Sequence, residues 1–135
     1  MILGTGIDLV HIPSFADQLG DGVSEFVRAT FTSEEVAFSE SAPSRRPAQH
    51  LAARFAAKEA AVKALDSACA RIGIAPPAVS LRDIAIVRDS SGRPSLQFHG
   101  AASAVAASAG VDRVWVSMTH DADYAAATVT LERLA

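Results

Sequence analysis

The stretch Arg54-Phe55-Ala56-Ala57-Lys58-Glu59-Ala60-Ala61-Val62-Lys63-Ala64-Leu65 constrains the fold more than any other, because almost every residue in it is a strong helix former. It reads as the middle of one long helix, roughly Pro47 to Cys69. Pro47 suits the first turn, where its missing N–H is not needed. At about 100° per residue, Leu51, Phe55, Val62, Leu65 and Cys69 fall on one apolar stripe. Ala52, Ala53, Ala56, Ala57 and Ala60 make a second, nearly bare face. Such a helix is expected to be buried on more than one side, which makes its charges informative. Lys58 lies near the middle of the large apolar stripe. Glu59 and Lys63 share an edge of it at i and i+4. One reading is an ordinary helix pair with a stem lying over the core. The other is a carboxylate and an ammonium held side by side on a rigid scaffold, which suits a cation site next to a phosphate.

The rest of the chain supplies the layers around that helix. Ile2 to His11 reads as a strand, with Leu3, Ile7 and Leu9 on one face and Gly4, Gly6 and Asp8 on the other. The glycines leave room for something to approach the backbone. Asp is depleted in strands, so Asp8 is either a strand-end residue facing water or a metal ligand on a bare face. Pro13 to Arg28 is a weak helical region split at Gly20 and Gly22. Phe15, Leu19, Val23, Phe26 and Val27 form its apolar side. Thr32 and Glu35 form a capping box for a short helix to about Ser39. A loop then carries Arg45 and Arg46, either solvated or placed to grip a phosphate.

Beyond the long helix, Gly73 to Ser80 is an irregular connection containing Pro76 and Pro77. Leu81 to Arg88 and Ser95 to Phe98 form a hairpin about the turn Asp89 to Pro94. Ala101 to Ala109 is a helix between two glycines. Arg113 to Thr119, with Val114, Val116 and Met118 inward, and Tyr124 to Leu131 are the last strands, joined by a tight turn at 120–123. Short hairpin links mean antiparallel pairing, so the expected class is α+β, an antiparallel sheet with one long and several short helices.

Composition narrows the function. The 135 residues predict a single domain, 1–135, with a real core. A net charge of −3 argues against nucleic acid as the main partner. The single cysteine fits a reducing cytoplasm. No signal peptide is read at the N-terminus, since no basic region precedes the apolar start and Asp8 interrupts it. The longest uncharged run, between Arg93 and Asp112, contains Gln97, His99 and two glycines and predicts no membrane span.

Three separated stretches now line up: Gly6-Ile7-Asp8-Leu9-Val10, Arg54-Phe55-Ala56-Ala57-Lys58-Glu59-Ala60, and Val116-Ser117-Met118-Thr119-His120-Asp121. In this order, with the Gly92-Arg93-Pro94 turn and at this length, the chain resembles the holo-acyl-carrier-protein synthases, the small bacterial 4′-phosphopantetheinyl transferases. The resemblance implies transfer of the 4′-phosphopantetheine arm of coenzyme A to a serine of an apo acyl carrier protein, releasing adenosine 3′,5′-bisphosphate, a step of fatty acid biosynthesis. It implies Mg²⁺, with Mn²⁺ as a substitute, held by Asp8 and Glu59. Mg²⁺ chemistry agrees, since the ion takes one or two carboxylates and completes its shell with water and phosphates.

By the same resemblance Lys63 neutralises phosphate charge. Either Glu59 or a metal-bound water takes the serine proton. Ser117 and His120 sit at the nucleotide end near the 3′-phosphate. Arg45, Arg46, Arg54, Gly92, Arg93 and Pro94 complete the coenzyme A contacts. His11, His50 and His99 match no family position and are expected to be structural. A homotrimer is also implied, with the Asp8–Glu59 cluster from one protomer and the His120 and Gly92–Pro94 turns from its neighbour. Phe55 stands where a tryptophan is common, and Thr119 where a serine is common. The usual arginine-rich docking helix is absent, since His11 to Arg28 sets Asp17, Asp21 and Glu25 against Arg28 alone. The implied partner is an acyl carrier protein or a carrier domain of a larger synthase. Two other classes compete: a metal-dependent phosphodiesterase or nuclease on the same carboxylates, and a non-catalytic nucleotide-binding or assembly module. The first lacks a basic stripe. The second would not need both carboxylates with Lys63.

Overall fold

The computed structural model describes residues 1–20, 24–43, 46–75 and 78–135. Asp21, Gly22, Val23, Arg45, Pro76 and Pro77 lie outside them. In order come β1 (Ile2–His11), α1 (Ile12–Leu19), α2 (Glu25–Thr30), α3 (Ser33–Ser41) and α4 (Pro47–Arg71). A 3₁₀ turn (Leu81–Asp83), β2 (Ile84–Arg88), β3 (Pro94–Phe98), α5 (Gly100–Ala109), β4 (Arg113–Asp121) and β5 (Tyr124–Glu132) follow. β1, β5 and β4 form an antiparallel sheet in that order, and β2 and β3 a separate hairpin. The expected α+β class holds.

α4 is the spine. Its alanines Ala52, Ala56, Ala57, Ala60, Ala61, Ala64 and Ala68 have no solvent exposure, and the helix lies across the sheet, mainly over β1 and β5. β1 can come this close because of its glycines. A methyl group on Gly4 would overlap the Ala64 carbonyl oxygen, and one on Gly6 the Ala60 carbonyl oxygen. What approaches the bare strand backbone is therefore the helix. This decides which of the two expected faces of β1 turns inward. Ile7 and Leu9 are 65% and 64% exposed, and the face carrying Gly4, Gly6 and Asp8 turns to α4. Leu3 is nonetheless buried, because a register irregularity between Ile2 and Gly4 breaks the alternation.

Four phenylalanines close the other side of α4. Phe15 packs 5.3 Å from Phe55, and Phe26 lies 5.7 Å from Phe55 and 6.4 Å from Phe31. Phe15 is buried, so it belongs to the core and not to an external apolar patch. Lys58 departs most from the sequence reading. It is completely buried, its Nζ 2.9 Å from Glu35 Oε1, and it donates to the Leu81 and Ile84 carbonyls at 2.9 and 2.6 Å. Glu35 keeps its capping-box bond to the Thr32 N–H and also accepts from Ile86 N, so one carboxylate ties α3, α4 and β2 together. Smaller adjustments are the 3₁₀ start at Leu81, α4 running on to Arg71, Pro94 opening β3, and His120 lying within β4. The tight turn there is left to Ala122 and Asp123, with Ala122 at φ 49°.

Candidate active site

Two clusters flank α4, one at each edge of the sheet. The first is acidic and sits on β1, an edge strand. Asp8 projects from the glycine face toward α4, where Glu59 and Lys63 wait one turn apart. Lys63 Nζ lies 3.0 Å from Asp8 Oδ1 and donates to the Ile7 carbonyl at 2.9 Å. The expected Glu59–Lys63 helix pair therefore gives way to a strand-to-helix pair. Glu59 is half-buried and makes no hydrogen bond or ion pair with a described residue. Burial, and after it the Asp8 charge, push its carboxyl above the usual range against the pull of Lys63. Asp8 and Glu59 line one cleft of about 400 Å³ with His11, Ser14, Gln18 and Phe55. His11 Nδ1 caps α1, accepting from Ser14 N at 3.4 Å, which fits its structural reading.

This cleft fits a divalent cation that needs few protein ligands. Two carboxylates converge, one of them ill at ease when ionised. Among the described residues no cluster of three or more His, Cys, Asp or Glu forms a full protein cage. That donor set matches Mg²⁺, and Mn²⁺ accepts the same oxygen ligands.

The second cluster is basic and lies on β4, the opposite edge, and on the first turns of α4. Gln49 Nε2 and His120 Nε2 lie 2.9 Å apart, within hydrogen-bond reach. Arg54 is 3% exposed, donates to the His50 carbonyl at 3.2 Å, and its Nε has no hydrogen-bond partner. The Arg54 and Arg88 guanidinium carbons lie over the Phe38 ring, 4.5 and 4.6 Å from its centre. Burial, and then Arg54, Arg88 and His120, depress the pKa of His50. Burial and then Arg88 depress that of Arg54. A group of cations this close, with a buried donor unfilled, is built to receive an anion.

The hairpin turn at 89–94 abuts this cluster through Arg88, which donates to the Gly92 carbonyl at 2.6 Å. Arg93 pairs with Asp89 at 3.2 Å. The Ser91 hydroxyl, then the Arg93 backbone N–H, hold the Asp89 carboxyl down at about 2, so the turn keeps its shape across working pH. Pro94 pairs with Arg88 across the hairpin. Arg46 is exposed at the start of α4, and Arg45 falls outside the described residues. Ser117 is not brought to His120. Three positions apart on one strand, the two face opposite sides, Ser117 with Trp115 and Thr119 on the outer face.

Arg88, Phe38 and Gln49 were missed by the sequence reading, and His50, expected to be structural, packs its ring on Phe38. His50 stands four residues before Arg54, so helix spacing pointed to it. Nothing local marked Arg88 or Phe38, which reach the cluster only through tertiary packing.

Comparison with known proteins gives the class. Residues 4–129 match the model of the 4′-phosphopantetheinyl transferase superfamily, and the chain belongs to that family. Within it, the chain is 39% identical over 133 residues to the holo-[acyl-carrier-protein] synthase of Geobacter sulfurreducens, covering 98% of this chain and 99% of that one. Among solved structures it is similar to the acyl carrier protein synthase of Mycobacterium tuberculosis, with 40% identity, TM-score 0.70 and coverage of 99% and 100%. It is also similar to the Chronobacterium ammoniagenes enzyme solved as a coenzyme A complex, with 35% identity, TM-score 0.77 and 98% of both chains covered.

Proposed function

We propose that the protein moves 4′-phosphopantetheine from coenzyme A to a serine hydroxyl of an apo acyl carrier protein, or of a carrier domain in a larger synthase. The observation that carries this reading is the pairing of an acidic cleft with a separate basic cluster on the two flanks of one helix. Coenzyme A has a matching polarity: a pyrophosphate that needs a cation and, further along, a 3′-phosphate that needs donors.

Asp8 and Glu59 would hold Mg²⁺ or Mn²⁺, which supplies charge neutralisation at the pyrophosphate when bound. Lys63 adds a fixed positive charge beside Asp8. The serine Oγ attacks the phosphorus that carries the pantetheine arm, and the bond from that phosphorus to the bridging oxygen breaks. Adenosine 3′,5′-bisphosphate leaves with the bridging oxygen. Glu59 takes the hydroxyl proton at a carboxylate oxygen. Arg54, His120 and Arg88 anchor the 3′-phosphate, with Arg46 at the start of α4 beside them; Arg45, outside the described residues, is proposed as a further contact. The Gly92-Arg93-Pro94 turn lies against the nucleotide.

The two clusters occupy opposite sheet edges of one chain, which favours a site completed by a neighbouring protomer. Ile7, Leu9, Trp115 and Tyr124 stand 46–65% exposed on the outer sheet face, an apolar patch that suits a homotrimer interface and carries Ser117 toward a neighbour's site. Residues 4–129 matching one family model supports a single domain. No helix among the described residues is long and apolar enough to cross a membrane, and the lone thiol, Cys69, is free and buried, as suits the cytoplasm.

The test is mass spectrometry of an apo carrier protein after incubation with coenzyme A and Mg²⁺. The proposal requires a gain of one phosphopantetheine on serine that fails without the cation. An unchanged carrier mass would reject it. Light scattering should return three protomers, and a monomer active at high dilution would reject the shared site.

A further inference from the structure

We infer that Phe38 is a positioning residue, whose ring holds Arg54 and Arg88 together as a two-armed receptor for a phosphate dianion. The inference rests on the placement of the nucleotide end proposed above. Two guanidinium groups repel, and each ordinarily finds its own carboxylate or water. Here neither Arg54 nor Arg88 forms an ion pair with a described residue, yet both lie within 4.6 Å of one ring centre. The aromatic face is electron-rich and attracts cations, so it offsets part of that repulsion. The His50 ring packs edge-on against the same ring at 5.5 Å and 89°.

The scaffold beneath is rigid. Phe38 is on α3, Arg54 on α4 and Arg88 on β2. The Glu35–Lys58 pair, with its bond to Ile86 N, fastens those same three elements at 2.9 Å each. The arms are thus set before ligand arrives, while the Arg54 Nε stays buried and unfilled. An incoming phosphate supplies the missing acceptor and the missing negative charge.

The experiment compares dissociation constants for coenzyme A and dephospho-coenzyme A in the same protein. Wild type should prefer coenzyme A. Arg88→Gln, at an exposed position, should cut that preference by about tenfold or more, the range of a charge-assisted contact. Phe38→Leu keeps apolar bulk and should cut it roughly three- to tenfold, while Phe38→Tyr keeps the ring and the preference. Phe38→Met replaces the leucine variant if that one does not fold. The double variant Phe38→Leu/Arg88→Gln should lose less than the product of the two single losses. A wild-type preference in Phe38→Leu, equal weakening of both ligands, or fully additive losses would overturn the inference. A wild type with no preference would overturn the nucleotide placement itself.

Discussion

Gly6→Ala should disable the enzyme without touching any residue of the site. A Cβ at Gly6 would overlap the Ala60 carbonyl oxygen and lie 2.8 Å from Ala60 C and 2.9 Å from Ala64 N. All three are backbone atoms inside α4, so no side chain can rotate away. Normal contact distances of about 3.5 Å or more require β1 to retreat by about 1 Å or more. Overpacking of this kind costs roughly 1–3 kcal/mol. Asp8 is two residues along the same face and would move with the strand, away from Glu59 and from Lys63, now 3.0 Å distant. A misplacement of about 1 Å can cost about 10²-fold in rate. Phosphopantetheine transfer and urea unfolding, at one protomer concentration, read the two effects. Ser103→Ala, exposed on α5 and in neither cluster, is the control and should change neither. If Gly6→Ala lost stability but kept kcat/KM within a few-fold of wild type, close strand–helix approach would not be what sets the carboxylate spacing.

Lys58→Met leaves Glu35 buried without its cation and two carbonyls without a donor, so stability should fall by about 3–5 kcal/mol, or ~10–18 °C in Tm for a chain of this size. A loss under ~1 kcal/mol at fixed protomer concentration would show the pair to be incidental. Glu59→Gln should raise Tm at pH 7 in metal-free buffer. Its folded pKa is raised, so its stabilisation is complete below the unfolded value near 4.3 and is lost as pH climbs through the folded one. The difference from wild type should therefore vanish below about pH 4, and added Mg²⁺ should stabilise wild type but not the variant. A lower Tm for Glu59→Gln at pH 7 without metal would refute the burial argument.

Those effects also mark where the sequence stopped being legible. Period and composition were enough for α4, for the glycine face of β1 and for the hairpins, because these are local properties of 3.6- and 2-residue repeats. Asp8 and Glu59 were recognisable because motif order fixed them, and the structure brings them to one cleft. Which face of β1 turns inward stayed open in the sequence, because apolarity alone does not mean burial. Two glycines let the helix of alanines approach where any side chain would overlap its backbone, and Ile7 and Leu9 stay on the outer face. Lys58 was misread for want of a visible partner. A lone lysine in an apolar stripe looks like a snorkelling stem, and its partner Glu35, 23 positions earlier, already had a sufficient local role in the capping box. Strand parity alone separates Ser117 from His120, a distinction that motif matching ignores.

Docking of the proposed carrier along α1 and α2 makes a prediction for the salt dependence of catalysis. Along α1 and α2, Asp17 and Glu25 are exposed against Arg28, with Asp21 outside the described residues. An acidic carrier helix would meet like charge here, which slows encounter and adds mismatch at the rim. Phe15 is buried and Phe26 packs on Phe31 and Phe55, so neither offers an apolar contact of full size. What remains is a cleft of about 440 Å³ bounded by Leu19, Val27, Val36 and Leu51, with Arg28 and Arg82 at its edge. Arg82 donates to the Arg28 carbonyl at 2.7 Å, which fixes that edge. An apolar carrier side chain entering this cleft, with one acidic neighbour near the two arginines, satisfies the surface better than a wholly acidic helix. For the natural carrier, kcat/KM should then fall only shallowly between low and physiological ionic strength, where exposed charges are screened beyond about 8–10 Å. Leu19→Ser should lower kcat/KM at every salt concentration. A steep fall with salt, abolished by Arg45→Ala, would mean that charge docking survives and that the carrier binds elsewhere.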